Sequence, residues 1–485
     1  MSAIDIIILA AGKGTRMRSE LPKVLHRLAG KPLITHVLDA ASALADGRIT
    51  VVAGHGMDLV QGEIENFQGE LQQRTKNSCP IKCIEQKEQL GTGHAVQQAI
   101  PGLDNTASTA LVLYGDVPLL DTRTLERMLV SAAQGKLTLL TVVLSDPSGY
   151  GRILRDSADQ VIGIVEQKDA SVDQLAIAEI NTGIMAMPVT RLTEWLPQLS
   201  NDNAQGEYYL TDIVALAAQQ KMVIETLHPE SIEEVEGVNN RSQLARLERY
   251  YQARQAETLM EAGVALADPA RFDCRGSITA GRDVFIDINC VFAGEVALGD
   301  GVSIGPNCSI ANATIGDGAI IKANTVIEGP VTIEAGVQVG PFARLREGTV
   351  LRKHAKVGNF VEIKKTELGE GSKASHLSYL GDTRLGKDVN VGAGTITCNY
   401  DGVNKHRTDI GDNVFVGSNS SLVAPVAIGE GATIGAGSTI TRDVPPSSLS
   451  VARGKQKTIE GWQRPEKKGP EKNRPKKNSP EKREK

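Results

Sequence analysis

From residue 286 to residue 441 an aliphatic residue returns at about every sixth position, commonly with Gly or another small residue beside it. The register runs through Ile286, Phe292, Leu298, Ile304, Ile310, Ile315, Ile321, Ile327, Ile333, Val339, Leu345, Leu351, Val357 and Ile363, then Leu368, Ala374, Leu380, Leu385 and Val391. It breaks across 397–409 and resumes at Ile410, Val416, Leu422, Ile428, Ile434 and Ile440. A period of six is neither helical nor simple strand alternation. It predicts a parallel β-helix, each hexad supplying a short strand and a turn, with the aliphatic residue on a narrow axis. Gly, Asn and Asp fill the turns because they tolerate positive φ. One coil cannot bury its own core, so stability must come from stacking.

The first 240 residues carry a different pattern. The continuous apolar run 4–9 reads as a buried parallel strand feeding a Gly-rich turn. Strand-like runs follow at 50–53, 110–113, 137–144 and 161–165, with helix-compatible segments at 33–44, 93–99 and 122–133. This alternation predicts an open α/β sheet, whose ligands sit at the carboxyl ends of the strands. Residues 241–262 are rich in Glu, Arg, Gln, Ala and Leu, with Leu244, Leu247, Tyr251 and Leu259 spaced to share a face. A long helix ended by Gly263 is expected, acting as a strut between the two units.

The expected divisions are therefore 1–240, an α/β domain; 241–263, a helical linker; 264–455, a β-helix; and 456–485, a tail. A chain of 485 residues can bury several cores, and 49 Gly with few aromatics suit a thin solenoid axis. The net charge of −5 is unevenly placed. From Arg464 to the end, ten Lys/Arg face four Asp/Glu, so the tail carries +6 and the remainder −11. That Pro/Lys/Glu stretch cannot bury a core and is expected to be disordered and solvated, with weak attraction to RNA or acidic surfaces as the alternative. A basic tail on an acidic body does not make a nucleic-acid enzyme, and none is expected as partner. Cys79, Cys83, Cys274, Cys290, Cys308 and Cys398 form no CxxC pair and have no His cluster at zinc-ligand spacing, so reduced structural thiols are expected. The apolar run 6–11 is short and preceded by Asp5, which argues against a signal peptide or membrane span and for a cytoplasmic protein.

The chemistry begins at the first turn. No Gly-x-x-x-x-Gly-Lys-Ser/Thr occurs, and the third glycine of the dinucleotide fingerprint is missing. The wider pattern Leu9-Ala-Ala-Gly-x-Gly-Thr-Arg-Met17, followed by Leu21-Pro-Lys23, resembles the signature of sugar-nucleotide pyrophosphorylases, in which backbone N–H groups and cations surround nucleotide phosphates. Leu9, Ala10, Ala11 and Gly12 would then line the nucleotide. Arg16 and Lys23 would hold the charge that builds on departing pyrophosphate, although an isolated pair of cations would be surface decoration. Gln86 and Leu90-Gly91-Thr92 match the segment that reads the uracil edge in that family. Tyr114-Gly115-Asp116 follows an apolar strand, where a carboxylate suits a hard Mg²⁺ that keeps waters and borrows phosphate oxygens, its bland alternative being a turn or cap before Pro118. The resemblance assigns Gly151, Glu166 and Asn181 to the sugar, and Asn239 to completing the metal site with Asp116. No protein nucleophile is required, because a sugar 1-phosphate oxygen can attack the α-phosphorus of UTP directly.

In the hexad region Arg346, Lys364 and the segment Gly371-Ser-Lys-Ala-Ser-His376-Leu-Ser-Tyr379 with Asn390 resemble the glucosamine 1-phosphate site of the bifunctional enzymes of UDP-N-acetylglucosamine synthesis. Arg and Lys suit the sugar phosphate, and Tyr379 and Asn390 its neighbouring oxygens. His376 is the candidate general base, since the amine must shed a proton to attack a thioester and histidine titrates in the useful range. The break in the hexads marks a loop of the kind on which solenoids build binding sites. The resemblance places acetyl-CoA against Ala393, Asn399, Tyr400, Ser418, Ala436 and Arg453.

This likeness spans nearly the whole chain. It implies an α/β nucleotidyltransferase domain of Rossmann-like open sheet, a helical linker, and a left-handed parallel β-helix. The activities implied are acetylation of glucosamine 1-phosphate, then uridylyl transfer from UTP with Mg²⁺, giving UDP-N-acetylglucosamine for bacterial peptidoglycan and lipopolysaccharide synthesis. It also implies a homotrimer. Two competing readings are a pyrophosphorylase whose β-helix only oligomerises or regulates it, and a nucleotide-sensing subunit without catalysis.

Overall fold

The computed structural model describes residues 3–45, 47–74, 79–103 and 109–465. The tail beyond residue 465, where disorder is expected, lies outside them.

The N-terminal unit is built on a sheet with strand order Ile224–Leu227, Leu137–Val143, Glu179–Pro188, Thr109–Tyr114, Ile4–Ala10, Ile49–Ala53 and Ile81–Glu85. All neighbours pair in parallel except Glu179–Pro188, which runs antiparallel to both of its partners. The hairpin of Arg152–Arg155 and Val161–Val165 leans on that antiparallel strand. Ile6, Ile7 and Ile8 are fully buried, and alternate residues feed two cores, one on each face of the sheet. A continuous apolar run is what a strand covered on both sides requires. The helices Leu33–Leu44, Thr92–Ala99 and Thr122–Ala132 fall within one residue of expectation.

The second unit stacks short parallel strands into coils, one coil supplying three hexads. Phe285–Ile286, Ser303–Ile304, Ile320–Ile321 and Gln338–Val339 form one face, each pairing with the next at 17 or 18 residues. The aliphatic residue of nearly every hexad enters a single core running from Val264 to Val444. This is the hexapeptide-repeat left-handed β-helix. The corners carry the expected turn chemistry: Asn289, Asn307, Asn324 and Asn419 all take positive φ.

The hexad break is real but narrower than the pattern indicates. Thr397 is fully buried and pairs with Leu422, so it holds the core position with a hydroxyl in place of an aliphatic chain. Its Oγ accepts from Gly381 N at 2.8 Å, which satisfies that buried oxygen. Only 399–407 leaves the coil. Asn390 consequently pairs with Phe415, 25 residues on, while the coils to either side advance by 17 and 18.

The helix Arg241–Glu261 does more than separate the two units. Leu244, Leu247, Tyr250 and Tyr251 pack with Met17, Leu28 and Leu33 of the first unit, whereas Ala256 and Leu259 join the β-helix core. Buried Gln252 completes the seam: its amide donates to Cys274 O at 2.9 Å and accepts from Cys274 N at 2.6 Å. Those backbone groups belong to the first long strand of the β-helix, Phe272–Ala280. Among the described residues no helix is long and apolar enough to cross a membrane.

Candidate functional sites

At the carboxyl ends of strands Ile4–Ala10 and Thr109–Tyr114 lies a cavity of about 350 Å³, lined by Leu9, Ala10, Ala11, Gly12, Lys23, Gln86, Gly91, Thr92, Tyr114 and Asp116, with Gln89 and Glu207. Parallel pairing of the two strands sets Leu9 opposite Tyr114, which brings the glycine turn and the acidic turn side by side. Thr15–Met17 forms only one 3-10 turn, so the glycine turn itself leads into no long helix, and Arg16 and Lys23 supply positive charge beside it. The space over Gly12 is open. Gly91 is a glycine for a physical reason: its φ is 111°, and an added Cβ would meet Tyr208 O at 2.5 Å. Gln86 donates to Gly91 O at 3.1 Å, so the amide expected to read a base edge is buried and held in place.

Lys23 Nζ lies 2.5 Å from Asp116 Oδ2 and 3.2 Å from Asn239 Oδ1, and Arg16 donates to the same Asn239 oxygen at 2.8 Å. A carboxylate oxygen and an amide oxygen thus already converge on one cation. That donor pair fits Mg²⁺, whose remaining ligands would be phosphate oxygens and water. Val238 N donates to Asp116 O at 2.9 Å, which ties the segment carrying Asn239 to the acidic turn.

Gly151, Glu166 and Asn181 form a neighbouring cluster rather than part of that cavity. Asn181 N donates to Gly151 O at 2.9 Å, and a Cβ on Gly151 would stand 3.4 Å from both Glu166 oxygens. Tyr114 connects the two regions, its ring packed against Gly183 two residues beyond Asn181. Burial first, then the charges of Glu166 and Asp116, push its phenol far above the ordinary range and keep it a hydrogen-bond donor. Burial also raises the Glu166 carboxyl, against the lowering effect of a 3.0 Å bond from Thr211 Oγ1. Thr211, Glu207 and Gln89 escaped the sequence reading. The signal for Glu207 and Thr211 was the polar and aromatic run Gly206-Glu-Tyr-Tyr-Leu-Thr211, which pins Gly93 through its N–H to Tyr208 O at 2.8 Å.

The β-helix brings its own candidates together along one face and one corner. Arg346 pairs with Glu362 at 2.9 Å, Glu362 sits opposite Tyr379 in the strand ladder, and Lys364 reaches Glu347 at 3.6 Å. The hairpin 399–407 folds back onto this face. Its Lys405 side chain touches that of Lys364, and the neighbouring ammonium holds Lys405 below the ordinary lysine range. Two amines in contact create a spot suited to a dianion. Asn399 is buried and donates to Asp382 Oδ2 at 2.5 Å, and both Asn399 and the Tyr379 hydroxyl lie over Gly381, where a Cβ would collide with either.

His376 stands at the corner that opens this face. Its coil pairs with the next so that Lys373 meets Asn390, which carries His376 onto Ala393; the following coils bring Ser418 and Ala436 to the same place. Corner hydrogen bonds confirm the stacking: Asn419 N to Ala393 O at 2.7 Å and Gly437 N to Ser418 O at 2.8 Å. Arg453 Nη1 donates to Ala436 O at 2.6 Å and closes the series. At ~4.8 Å per coil, this column of small residues extends about 19 Å from His376 to Arg453. Two predicted residues stand apart. Asn390 lies on the preceding face, stacked between Lys373 and Phe415, and the Tyr400 hydroxyl is turned into its own hairpin, donating to Gly402 O at 2.5 Å.

Comparison with known proteins matches both units. The family model for the MobA-like NTP transferase domain fits residues 6–154, and that for bacterial transferase hexapeptide (six repeats) fits 298–329, 312–347 and 407–442. Curated relatives described as bifunctional protein GlmU include those of Idiomarina loihiensis, 58% identical over 96% of this chain and 99% of the relative, and Cellvibrio japonicus, 58% identical over 96% and 100%. The protein of Marinobacter nauticus is 57% identical over 96% of this chain and all of its own length.

Proposed function

The chain belongs to the family of bifunctional GlmU proteins, and we propose that it divides two consecutive reactions between its two folded units. As a member of that family it acetylates glucosamine 1-phosphate from acetyl-CoA, then transfers UMP from UTP to N-acetylglucosamine 1-phosphate, releasing pyrophosphate and UDP-N-acetylglucosamine.

Acetyl transfer belongs to the corner of the β-helix. Lys364, Lys405 and Arg346 take the sugar phosphate, setting the amine toward His376. The amine nitrogen attacks the thioester carbonyl, a C–N bond replaces the C–S bond, and His376 Nε2 moves the proton from nitrogen to the departing sulfur. The observation that carries this assignment is the column His376, Ala393, Ser418, Ala436 and Arg453: one catalytic imidazole, then side chains too small to obstruct an extended cofactor arm, then a cation for its phosphates. A purely structural solenoid needs neither that order nor the two touching amines.

Uridylyl transfer belongs to the 350 Å³ cavity. Gln86 reads the uracil edge, Glu166 and Asn181 hold sugar hydroxyls, and Arg16 and Lys23 neutralise the leaving pyrophosphate. Asp116 and Asn239 would hold Mg²⁺, which supplies further charge neutralisation at the phosphates when bound. The sugar phosphate oxygen displaces pyrophosphate at the α-phosphorus in one step, so alignment and charge are the whole of the protein's task.

Homotrimer assembly through the β-helix accounts for Asn390. On one chain it faces away from Arg346, Lys364 and Tyr379, and a neighbouring copy packed on the corner would bring it to a shared site. Acetyl transfer draws on acetyl-CoA and uridylyl transfer on UTP, both cytoplasmic metabolites, which supports a cytoplasmic location. The test is one reaction containing glucosamine 1-phosphate, acetyl-CoA, UTP and Mg²⁺, followed by mass spectrometry with each component omitted in turn. UDP-N-acetylglucosamine dependent on all four is the expected result. Product formed only from ready-made N-acetylglucosamine 1-phosphate would return the β-helix to a structural role.

A further inference from the structure

The strand Lys356–Asn359 pairs with Lys373–His376 so that Asn359 lies directly opposite His376. Asn359 Oδ1 is 2.6 Å from His376 Nδ1. The backbone fixes both residues: Leu377 N donates to Asn359 O at 3.1 Å, and Ser378 Oγ donates to His376 O at 2.9 Å. On the other side of His376 the corner column continues with Ala393, whose side chain can orient nothing. Asn359 is therefore the polar side chain that the adjoining coils offer to this imidazole at the corner.

An amide oxygen only accepts hydrogen bonds, so at this distance the imidazole carries its proton on Nδ1 and presents the Nε2 lone pair outward. We propose that Asn359 is the positioning residue of acetyl transfer, selecting the tautomer and ring orientation in which His376 can act as base. This inference rests on the reading of His376 as that base. Asn359 touches no reacting atom and acts through the imidazole alone. Its neutrality matters as much as its position. A carboxylate in the same place would favour imidazolium and keep the base protonated to higher pH, whereas the amide orients the ring without storing the proton. The charged and titratable groups nearby are Lys356 and Lys373, on the same two strands, and Glu362, Tyr379 and Arg346 on the next face; the adjoining strand opens with uncharged Asn390.

The experiment measures acetyl transfer across the histidine titration range for full-length Asn359→Ala, Asn359→Asp and His376→Ala, with uridylyl transfer and thermal melting as controls of the fold. Asn359→Ala is expected to lower kcat about tenfold, a fraction of the ~10²–10⁴ that positioned acid–base catalysis supplies, with both KM values within about twofold. Asn359→Asp, which has the same shape, should move the acid limb of kcat/KM to higher pH by roughly one unit, because the new carboxylate stabilises imidazolium. Wild-type kcat in Asn359→Ala, or an unmoved acid limb in Asn359→Asp, overturns the proposal. If Asn359→Ala melts the β-helix, the Asp variant decides alone. Wild-type acetyl transfer in His376→Ala would instead refute the assignment of the base on which the proposal stands.

Discussion

Replacing Lys364 by methionine keeps the length of the stem and removes one of two ammonium groups that touch. The Lys364 side chain is 12% exposed, and the carboxylate near it, Glu347, stands 3.6 Å away, longer than the 2.9 Å pair that occupies Arg346. The looser pairing leaves the Lys364 ammonium, held charged in part by Glu347, able to turn to a phosphate. A hydrogen bond to a charged group contributes about 1.5–3 kcal/mol. The site opens to solvent, and screening reduces this to about 1–2 kcal/mol, which corresponds to a rise of about 5- to 30-fold in KM for glucosamine 1-phosphate. The KM for acetyl-CoA should stay within about twofold, since the coenzyme column runs along a different line of the coil. A coupled assay of free CoA release measures both constants. Removal of Lys364 also relieves Lys405, whose amine should return toward the ordinary lysine range. A KM that changes less than twofold, or a fall in kcat with KM intact, would refute the phosphate assignment.

The two sites should separate cleanly by mutation: Asp116→Ala is expected to abolish uridylyl transfer and spare acetyl transfer, and His376→Ala to do the reverse, in assays of each half-reaction. Gly91→Ala should impair uridylyl transfer selectively, because its Cβ would drive against Tyr208 O at 2.5 Å from a backbone already at φ 111°; unchanged UTP turnover would count against that strain. Burial raises the folded-state pKa of Glu166, so the folded protein pays for ionising it once the pH exceeds the unfolded carboxyl value. Glu166→Gln should therefore melt at least as high as wild type at neutral pH and lose that advantage below the ordinary glutamate value of 4.5, while sugar turnover falls. A variant less stable at neutral pH than in acid, relative to wild type, would contradict the sign. Gln252→Leu leaves the Cys274 N–H and carbonyl buried without partners, at about 1–3 kcal/mol for each group, and should lower the melting temperature of the β-helix.

The six-residue period made the β-helix legible because each coil repeats one physical requirement, an inward aliphatic chain, and the ladder enforces it independently of the rest of the molecule. The same logic explains where the pattern misled. Thr397 satisfies the inward position with a hydroxyl that Gly381 N–H bonds, so the coil persists through a residue that looks like a break. In the first unit, the run at residues 4–9 and the wider motif through Lys23 pointed to the cavity at the strand ends, where a glycine turn alone would have indicated no more than a tight connection. The antiparallel strand Glu179–Pro188 and the segment covering Gly91 were not legible. Their roles come from pairing with chain far away in sequence, Val112 with Met185 and Leu90 with Tyr208, and local composition does not encode such partners.

The two chemistries also use their scaffolds differently, which is why their residues were recoverable to different degrees. An α/β site gathers side chains from separated turns into one concavity, so each needs its own motif to be noticed. A solenoid corner instead repeats one structural position every coil. Once His376 is placed, the residues at Ala393, Ser418 and Ala436 follow from register alone, and so does Asn359 in the opposite direction. The insertion at 399–407 hides this in the sequence by lengthening one interval to 25 residues. Counting from the motif outward loses the register at that point, whereas the hydrogen-bonded ladder carries it through. The line from His376 to Ala436 is thus a property of pairing, set by the coils and read only when their register is known.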